Sequence, residues 1–302
     1  MNIGWIGVGN IGLPMARHVV QAGHKITIND LLQDNAQPLL DIGATWVDSP
    51  QKAAESNDIV IMSLPMPDDV EKVCFGENGL INGLQPGNIV IDMSTNSLEM
   101  VRQLEGQFKK DGIEFLDAPV SGGVEGANSR DLVVLVGGSQ ITFSQVESIL
   151  ELIGKNVNFC GPIGAGTICK LSHQLLAMGL LQIGAEILTL GVKAGVDLDI
   201  LADSISKGVM GKVPPLGRFY QDVFTGNLEG SETSFFLGLA AKDIKLANEM
   251  ARQMKVPLIL GNAVEEILKE TMNRGWHKKN FPAIVQLQEE KTGIKLRTNN
   301  SG

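Results

Sequence analysis

Residues 2–12 read Asn2-Ile3-Gly4-Trp5-Ile6-Gly7-Val8-Gly9-Asn10-Ile11-Gly12. Residues 3–6 form an apolar run, which is typical of a β-strand covered on both faces. The three glycines that follow have G-x-G-x-x-G spacing. The first permits a tight turn, the second lets a phosphate approach the backbone, and the third lets the next helix pack on the strand. Strand, glycine loop and helix in this order predict a dinucleotide-binding βαβ unit, with Gly7, Gly9, Asn10, Ile11 and Gly12 at the cofactor.

The next predicted strand, Lys25–Asn29, leads directly to a carboxylate, Asp30, which stands 18 residues after Gly12. A carboxylate at this point accepts hydrogen bonds from the adenosine ribose and repels a 2′-phosphate. Leu31 stands where a cation would suit NADP. We therefore expect NAD as the preferred cofactor, with capping of the next helix as the alternative role for Asp30.

β-rich runs and helical patterns alternate through the first half of the chain. Further strands are predicted at residues 45–47, 59–63, 89–93, 114–117, 132–136 and 157–159. Helices are predicted at 11–22, 49–56, 97–110 and 141–153. Repetition of strand, helix and strand implies a doubly wound, Rossmann-type sheet, which we place in a domain of residues 1–162.

The pattern changes after Gly161. Gly164-Ala165-Gly166 opens a helical pattern that continues to Lys193. About thirty helical residues span about 45 Å, enough to leave one domain and enter another. Further helices are predicted at 198–207, 235–253 and 258–274. The predicted fold class is α/β: an N-terminal Rossmann-type sheet joined by a long helix to an all-α domain of residues 163–302.

The composition is that of an ordinary globular protein, with 43% hydrophobic and 20% charged residues in 302. Its net charge of −9 argues against a nucleic-acid partner but permits a small anionic substrate, since local donors can oppose the global charge. Met1 leads straight into the first strand, so we expect no signal peptide. Gln182 and Glu186 interrupt the most apolar stretch and count against a membrane span. We expect a cytoplasmic protein.

The three cysteines, Cys74, Cys160 and Cys169, are widely spaced and form no CxxC motif. Such spacing favours reduced, buried thiols over a disulfide framework or a zinc site. We therefore predict no metal.

A second glycine-containing stretch, Asp117-Ala118-Pro119-Val120-Ser121-Gly122-Gly123, follows a predicted strand. The peptide N–H groups of Gly122 and Gly123, beside the Ser121 hydroxyl, could surround a carboxylate. An ordinary glycine turn would have the same composition.

With this stretch the chain resembles the β-hydroxyacid dehydrogenase family, which includes 3-hydroxyisobutyrate dehydrogenase, tartronate semialdehyde reductase and 6-phosphogluconate dehydrogenase. The similar motifs occur in order along almost the whole chain: Gly7–Ala16, Leu64-Pro65, Asp92–Thr95, Asp117–Gly123, Gly126-Ala127, Gly137-Gly138, Gly164–Lys170 and Lys242-Asp243. The resemblance implies that Ser121, Gly122 and Gly123 bind the substrate carboxylate. It likewise implies that Leu64, Pro65 and Thr95 line the nicotinamide half of the cofactor site. Lys242 would reach the cofactor and substrate from the helical domain.

By the same resemblance, Lys170 is the catalytic lysine. Reducing a carbonyl by hydride leaves an alkoxide, which needs a proton and a positive neighbour, and an ammonium supplies both. Oxidation needs the neutral amine, so the pKa of this lysine would have to fall below about 10.4. The alternative is a solvated helix lysine.

The chain departs from the family at Gln174, one helical turn after Lys170, where members usually carry a substrate-binding Asn. Glutamine keeps the amide but moves it outward by roughly an ångström, a displacement large enough to change activity. We expect Gln174 to contact the substrate and to change the shape or size preferred.

These observations predict an NAD-dependent dehydrogenase that transfers hydride between the cofactor and a small 3-hydroxy acid or its semialdehyde. One alternative is an imine reductase of the same architecture, a group whose members usually lack the lysine. Another is a catalytically weak NAD-binding module, which Gln174 leaves open. Apolar residues in the helical half, at 235–236 and 258–260, predict a homodimer or homotetramer.

Overall fold

The computed structural model describes residues 2–208, 222–231 and 234–297. The chain divides into two compact units, Met1–Leu171 and Ser172–Gly302. The division falls inside one long helix, a short distance beyond residue 162, where the sequence analysis placed the domain boundary.

The first unit contains one mixed β-sheet. Its strands are β1 Asn2–Ile6, β2 Lys25–Asn29, β3 Thr45–Trp46, β4 Ile59–Met62, β5 Ile89–Asp92, β6 Glu114–Asp117, β7 Val120–Ser121, β8 Val133–Gly137 and β9 Asn156–Gly161. The order is β3-β2-β1-β4-β5-β6-β8-β7, with β9 beside β8. Strands β1 to β6 pair in parallel, whereas β8 runs antiparallel to β6 and β7. The predicted Rossmann-type sheet is confirmed, and the antiparallel edge is an addition to it.

Burial on both sheet faces accounts for the continuous apolar runs in the strands. In β4, Ile59 and Ile61 belong to one apolar cluster, and Val60 and Met62 belong to another. Because successive side chains of a strand point to opposite faces, each cluster covers one side of the sheet. The strand therefore has no polar face.

Helices pack around this sheet. They are α1 Gly12–Gln21, α2 Gln37–Leu40, α3 Pro50–Glu55, α4 Pro67–Phe75, α5 Leu98–Phe108, α6 Gly123–Ser129, α7 Gln140–Ile153 and the first turns of α8 Ala165–Lys193. Helices α1, α3, α5, α7 and α8 were predicted from the sequence, whereas α2, α4 and α6 were not. Helix α4 had recognisable start signals, namely Pro67 at its first position and two aspartates in its first turn.

The second unit is helical in the residues that the structure describes, apart from one antiparallel bridge between Phe236 and Asn280. It comprises the remainder of α8 with α9 Leu198–Lys207, α10 Leu237–Gln253, α11 Ile259–Asn273 and α12 Val285–Thr292. The all-α domain is thus confirmed.

Helix α8 is long and apolar enough to cross a membrane by length and composition. Part of that apolar surface belongs to the core of the second unit, because Leu181, Ala185 and Leu188 are buried there. A core helix of this length passes the same test as a membrane span.

Candidate active site

The carboxyl ends of five parallel strands lie side by side. Asn29 pairs with Ile6, Ile6 with Met62, Met62 with Asp92, and Asp92 with Asp117. The chain leaves each strand along this one edge, which is where open α/β sheets bind ligands. Five of the residues assigned to the cofactor from the sequence follow these strands: Gly7, Asp30, Leu64, Pro65 and Thr95.

Steric contacts explain two of the three loop glycines. Gly7 has a φ of +86°, and a Cβ there would collide with the carbonyl of Ser63. A Cβ on Gly12 would collide with the carbonyl of Gly7. Gly9 is different, since nothing lies within 4 Å of where its Cβ would stand. This open space beside the start of α1 fits a dinucleotide pyrophosphate, which needs close backbone approach at this position.

The carboxylate of Asp30 organises the loop around it. Its Oδ2 accepts the Val8 N–H at 2.8 Å, and its Oδ1 accepts the Leu32 N–H at 3.0 Å and the Asn35 amide at 3.1 Å. Asp30 is half-buried and links the glycine loop to the end of β2. The helix-cap alternative is not supported, because the residue before the short 3₁₀ turn Gln33–Ala36 is Leu32 and no side chain caps that turn.

A buried carboxylate supports the loops that follow β4 and β5. Asp92 accepts the Ser94 N–H at 2.9 Å and the Asn96 amide at 3.3 Å. The Ser94 hydroxyl in turn accepts the Leu64 N–H at 2.9 Å. Burial raises the pKa of Asp92 to about 6. The network fixes Leu64 and the chain at Thr95. This supporting role of Asp92 was not predicted from the sequence.

The proposed carboxylate-binding residues lie between a short strand and a short helix. Ser121 ends β7, Gly122 has a φ of +139°, and Gly123, with a φ of +65°, begins α6. A Cβ on Gly122 would press on Leu132, whereas the corresponding position at Gly123 is open. Both glycines are exposed, so their backbone can be approached from solvent.

The side chain of Lys170 lies in the second turn of α8 and is only 7% exposed. Asp117 positions the start of this helix, because its carboxylate accepts the N–H groups of Gly164 and Thr167, each at 2.7 Å. Gly166 permits the close packing, since a Cβ there would collide with the carbonyl of Leu135. The buried setting contradicts the solvated-lysine alternative.

Gln174 and Lys242 lie in the second unit and meet at one carboxylate. The Gln174 amide donates to Asp243 Oδ2 at 2.8 Å, and the Lys242 ammonium lies 3.0 Å from Asp243 Oδ1. Both Gln174 and Asp243 are buried. This role of Asp243, which binds both side chains, was not predicted from the sequence. Within the described residues, no group of three or more His, Cys, Asp or Glu could hold a metal.

A Rossmann-type sheet with an open glycine loop, a carboxylate after its second strand, a buried lysine and a helical second unit defines a dinucleotide-dependent oxidoreductase. Two family descriptions match consecutive parts of the chain. The NAD binding domain of 6-phosphogluconate dehydrogenase matches residues 2–161, and the NAD-binding domain of NADP-dependent 3-hydroxyisobutyrate dehydrogenase matches residues 164–288. The chain belongs to the β-hydroxyacid dehydrogenase family, as the motifs indicated.

Individual relatives agree with this assignment. Mitochondrial 3-hydroxyisobutyrate dehydrogenase of Bos taurus is 34% identical, over 96% of this chain and 88% of its own length. The NAD-dependent L-serine dehydrogenase of Pseudomonas aeruginosa is 30% identical, over 96% and 99% respectively. The structure of Mycobacterium tuberculosis 3-hydroxyisobutyrate dehydrogenase with L-serine has a TM-score of 0.83 at 26% identity, and the match covers 95% of this chain and 98% of that one.

Imine reductases share the fold at greater distance. The enzyme from Myxococcus stipitatus with NAD+ matches with a TM-score of 0.66 and 16% identity over 95% of this chain and 99% of that one. Likeness at this level concerns the architecture alone. The hydroxyacid dehydrogenases are the better match in both sequence and structure.

Proposed function

We propose that the protein is an NAD-dependent dehydrogenase, which transfers hydride between NAD(H) and a small 3-hydroxy acid or its semialdehyde. The observation that carries this proposal is the buried Lys170 side chain, held at the start of α8 by the contacts of Asp117. Burying a lysine ammonium costs free energy, and buried titratable groups of this kind cluster at functional sites. Family membership gives the function of this lysine as proton transfer.

In the reduction direction, Lys170 donates a proton from Nζ to the carbonyl oxygen and stabilises the negative charge that develops there. In the oxidation direction, its neutral amine accepts the hydroxyl proton. Bound NAD(H) supplies or accepts the hydride. The N–H groups of Gly122 and Gly123 and the Ser121 hydroxyl hold the substrate carboxylate and thereby fix the distance from carboxylate to reacting carbon.

The chemistry of the relatives' named substrates supports the 3-hydroxy class. 3-Hydroxyisobutyrate and L-serine both carry their hydroxyl on the carbon next to the one that bears the carboxylate. An enzyme that anchors the carboxylate and reacts one carbon further along would accept either shape. Gln174 replaces the Asn that family members usually carry, and its amide is bonded to Asp243. We propose that this replacement changes which 3-hydroxy acid is preferred.

We propose NAD as the preferred cofactor because Asp30 follows β2 and the fully exposed Leu31 supplies no cation for a 2′-phosphate. The family description that matches the second unit names an NADP-dependent enzyme, whereas the Pseudomonas relative is named NAD-dependent. We propose that the residues after β2 decide the preference in this chain.

We propose a homodimer or homotetramer. Helix α8 exposes an apolar stripe within the second unit, formed by Leu176, Ile183, Ile187 and Leu190, of which Leu190 is 70% exposed. Spacings of seven, four and three residues place these side chains on one helix face, and such a face is complementary to its own copy. Replacing Ile187 and Leu190 together with aspartate should convert the assembly to monomers in sedimentation, while Lys193→Asp at the end of the same helix should not.

The activity is tested by absorbance at 340 nm with NAD and a panel of 3-hydroxy acids. Lys170→Ala should lose turnover by at least about a hundredfold, while the exposed Lys193→Ala retains it. Binding of NADH, followed by fluorescence, should persist in Lys170→Ala and show that the variant is folded. Turnover of a cyclic imine but of no hydroxy acid would favour the imine reductase alternative. NAD binding without turnover of any substrate would favour the binding-module alternative.

A further inference from the structure

A leucine at the start of α5 packs on a glycine at the start of α8. Leu98 is the first residue of α5 and is only 2% exposed. A Cβ on Gly164 would collide with the Leu98 Cδ1 methyl group, so this methyl lies directly against the Gly164 backbone. Gly164 has a φ of +87° and stands immediately before α8. The contact therefore joins α5 to the helix that carries Lys170.

The two joined segments are also anchored side by side at the edge of the sheet. Asp92 ends β5 and Asp117 ends β6, and these two residues pair in register. Asp92 accepts the N–H of Ser94, in the loop that leads to α5, at 2.9 Å. Asp117 accepts the N–H of Gly164 at 2.7 Å. Each segment is thus held at one end by a strand carboxylate, and Leu98 joins them at a second point.

The loop between β5 and α5 is held along its length. The amide of the fully buried Asn96 donates to Asp92 Oδ2 at 3.3 Å, and its Oδ1 accepts the Ser97 N–H at 2.9 Å. The Ser97 hydroxyl accepts the Met100 N–H at 3.0 Å and so caps α5. Thr95, which we assign to the nicotinamide half of the cofactor site, lies within this loop. A shift at the start of α5 is therefore passed on to Thr95.

We propose that Leu98 is a positioning residue, which sets the separation between the nicotinamide loop at Thr95 and the Lys170 ammonium by packing on Gly164. The inference rests on the proposed function, since it needs NAD at this edge of the sheet and Lys170 as the proton donor. Hydride and proton go to the two atoms of one carbonyl bond, so the nicotinamide and the ammonium must be held at a fixed separation. In this role Leu98 acts through the two segments that it joins.

The contact depends on the δ-carbon of the side chain. Valine ends at its γ-carbons and would leave a gap against Gly164, and alanine would leave a larger one. Because buried gaps are closed only partly by relaxation, the two segments would move closer or lose their fixed separation. Either change displaces Lys170 relative to Thr95. Methionine has its sulfur at the δ-position and can restore the contact.

The alternative is that Leu98 contributes to core packing alone. Leu104 lies in the same helix and is fully buried in the apolar cluster that contains Val60 and Met62. Leu104→Ala removes the same carbon atoms from α5 as Leu98→Ala does, but it leaves the contact with Gly164 in place. It is therefore the matched control for a loss of stability without a loss of position.

The contact is tested first by amide hydrogen exchange on the full chain without cofactor. In Leu98→Ala we expect exchange at residues 164–170 to rise severalfold relative to the amides of β1, because the start of α8 opens locally more often. Leu104→Ala should leave this ratio at the value of the unaltered protein, and Leu98→Met should restore it. An unchanged ratio in Leu98→Ala would overturn the proposal.

The effect on catalysis is measured by initial rates with NAD and the better substrate of 3-hydroxyisobutyrate and L-serine. We expect Leu98→Ala to lower kcat by at least about tenfold and Leu98→Val to lower it by a smaller factor. KM for NAD should stay within about twofold, because the glycine loop and Asp30 are untouched. Leu98→Met and Leu104→Ala should keep kcat near that of the unaltered protein, at a temperature where circular dichroism shows each variant folded. If Leu98→Ala does not fold, Leu98→Val gives the same comparison.

Three results would contradict the proposal or its basis. Equal kcat values in the alanine variants of Leu98 and Leu104 would show that Leu98 serves packing alone. A raised KM for NAD with kcat unchanged would place its effect on cofactor binding and would overturn the positioning role. An unaltered protein that binds no NADH and turns over no 3-hydroxy acid would refute the proposed function instead, and hydrogen exchange would still decide whether Leu98 holds the start of α8.

Discussion

Asp117, the last residue of β6, accepts the peptide N–H of Thr167, and this bond joins the sheet to the helix that carries the candidate catalytic lysine at an N···O distance of 2.7 Å. Its other oxygen accepts the Gly164 N–H at the same distance. Helices start with unpaired N–H groups, and a carboxylate is well suited to cap them. Here the capping carboxylate belongs to β6 and not to the chain that leads into the helix. The same two bonds therefore cap α8 and fix the position of Lys170 relative to the sheet.

Asp117→Asn should therefore affect both stability and turnover. The amide turns one acceptor into a donor that faces a peptide N–H, which should lower the free energy of unfolding by about 1–3 kcal/mol. The first turns of α8 would shift, and kcat should fall by at least about tenfold, because small displacements of a catalytic group are costly. Urea denaturation and initial rates measure the two effects. The exposed Asp58→Asn is the control, and equal behaviour of the two variants would show that the cap does not position Lys170.

Gly166→Ala and Gly106→Ala should change stability in opposite directions. A Cβ at Gly166 would collide with the carbonyl of Leu135, so α8 could not keep its distance from the sheet. We expect a loss of about 2 kcal/mol or more. Gly106 lies inside α5 with nothing within 4 Å of its Cβ position, and alanine there should stabilise the protein by about 0.5–1 kcal/mol. Thermal denaturation of both variants gives the signs directly, and a stabilising Gly166→Ala would mean that the two backbones are further apart.

These residues show which parts of the fold could be predicted from sequence. The glycine loop could be predicted because its requirements are local. The tight turn at Gly7 and the close contact at Gly12 each need a glycine, and the two positions are five residues apart in sequence. The bonds from Asp117 to α8 and from Gln174 to Asp243 join residues 47 to 69 positions apart in sequence. No local pattern announces such pairs. The prediction of buried thiols is wrong for Cys169, which is exposed, because the spacing of cysteines does not tell which face of a helix each one occupies.

Asp92 should make stability depend on pH in the weakly acidic range. Burial raises the pKa of this carboxyl to about 6 in the folded protein, whereas an unfolded aspartate titrates near 3.9. Between these values the folded state binds more protons, so the contribution of Asp92 to stability falls as pH rises toward 6 and is lost above it. Asp117, whose pKa burial also raises, acts in the same direction.

The measurement compares urea denaturation at pH 5 and pH 7.5. In Asp92→Asn, the difference in unfolding free energy between the two pH values should change by about 1 kcal/mol, because the titrating group is gone. Stability at pH 5 should fall relative to the unaltered protein more than it does at pH 7.5. The exposed Asp58→Asn should leave the difference between the two pH values unchanged. If Asp92→Asn did the same, the carboxyl of Asp92 would be titrating normally in the folded state.

Gln174→Asn tests the residue at which the chain departs from its family. The shorter side chain cannot keep the 2.8 Å bond to Asp243. The buried carboxylate of Asp243 then has one hydrogen-bond donor fewer. We expect a loss of about 1–2 kcal/mol in stability and a change in the order of kcat/KM values across a panel of 3-hydroxy acids, with KM for NAD unaffected. Gln174→Glu would place two carboxylates in contact and should be worse in both respects. An unchanged substrate order in Gln174→Asn would exclude this side chain from substrate selection.

The residues after β2 should decide between NAD and NADP. The Asp30 carboxylate accepts the Val8 and Leu32 N–H groups. Hydrogen bonds from the adenosine ribose of NAD would be additional to these. Leu31 is fully exposed, so Leu31→Arg should fold normally and offer a cation to a 2′-phosphate. With Asp30→Ser added, repulsion of that phosphate is also removed. We expect kcat/KM for NADP to rise and that for NAD to fall, each by roughly tenfold, which corresponds to about 1.4 kcal/mol apiece.

Leu31→Ala is the matched control and should leave the ratio of the two kcat/KM values unchanged. A parent enzyme that already prefers NADP, or a double variant with an unaltered ratio, would show that Asp30 serves the loop alone and does not read the cofactor.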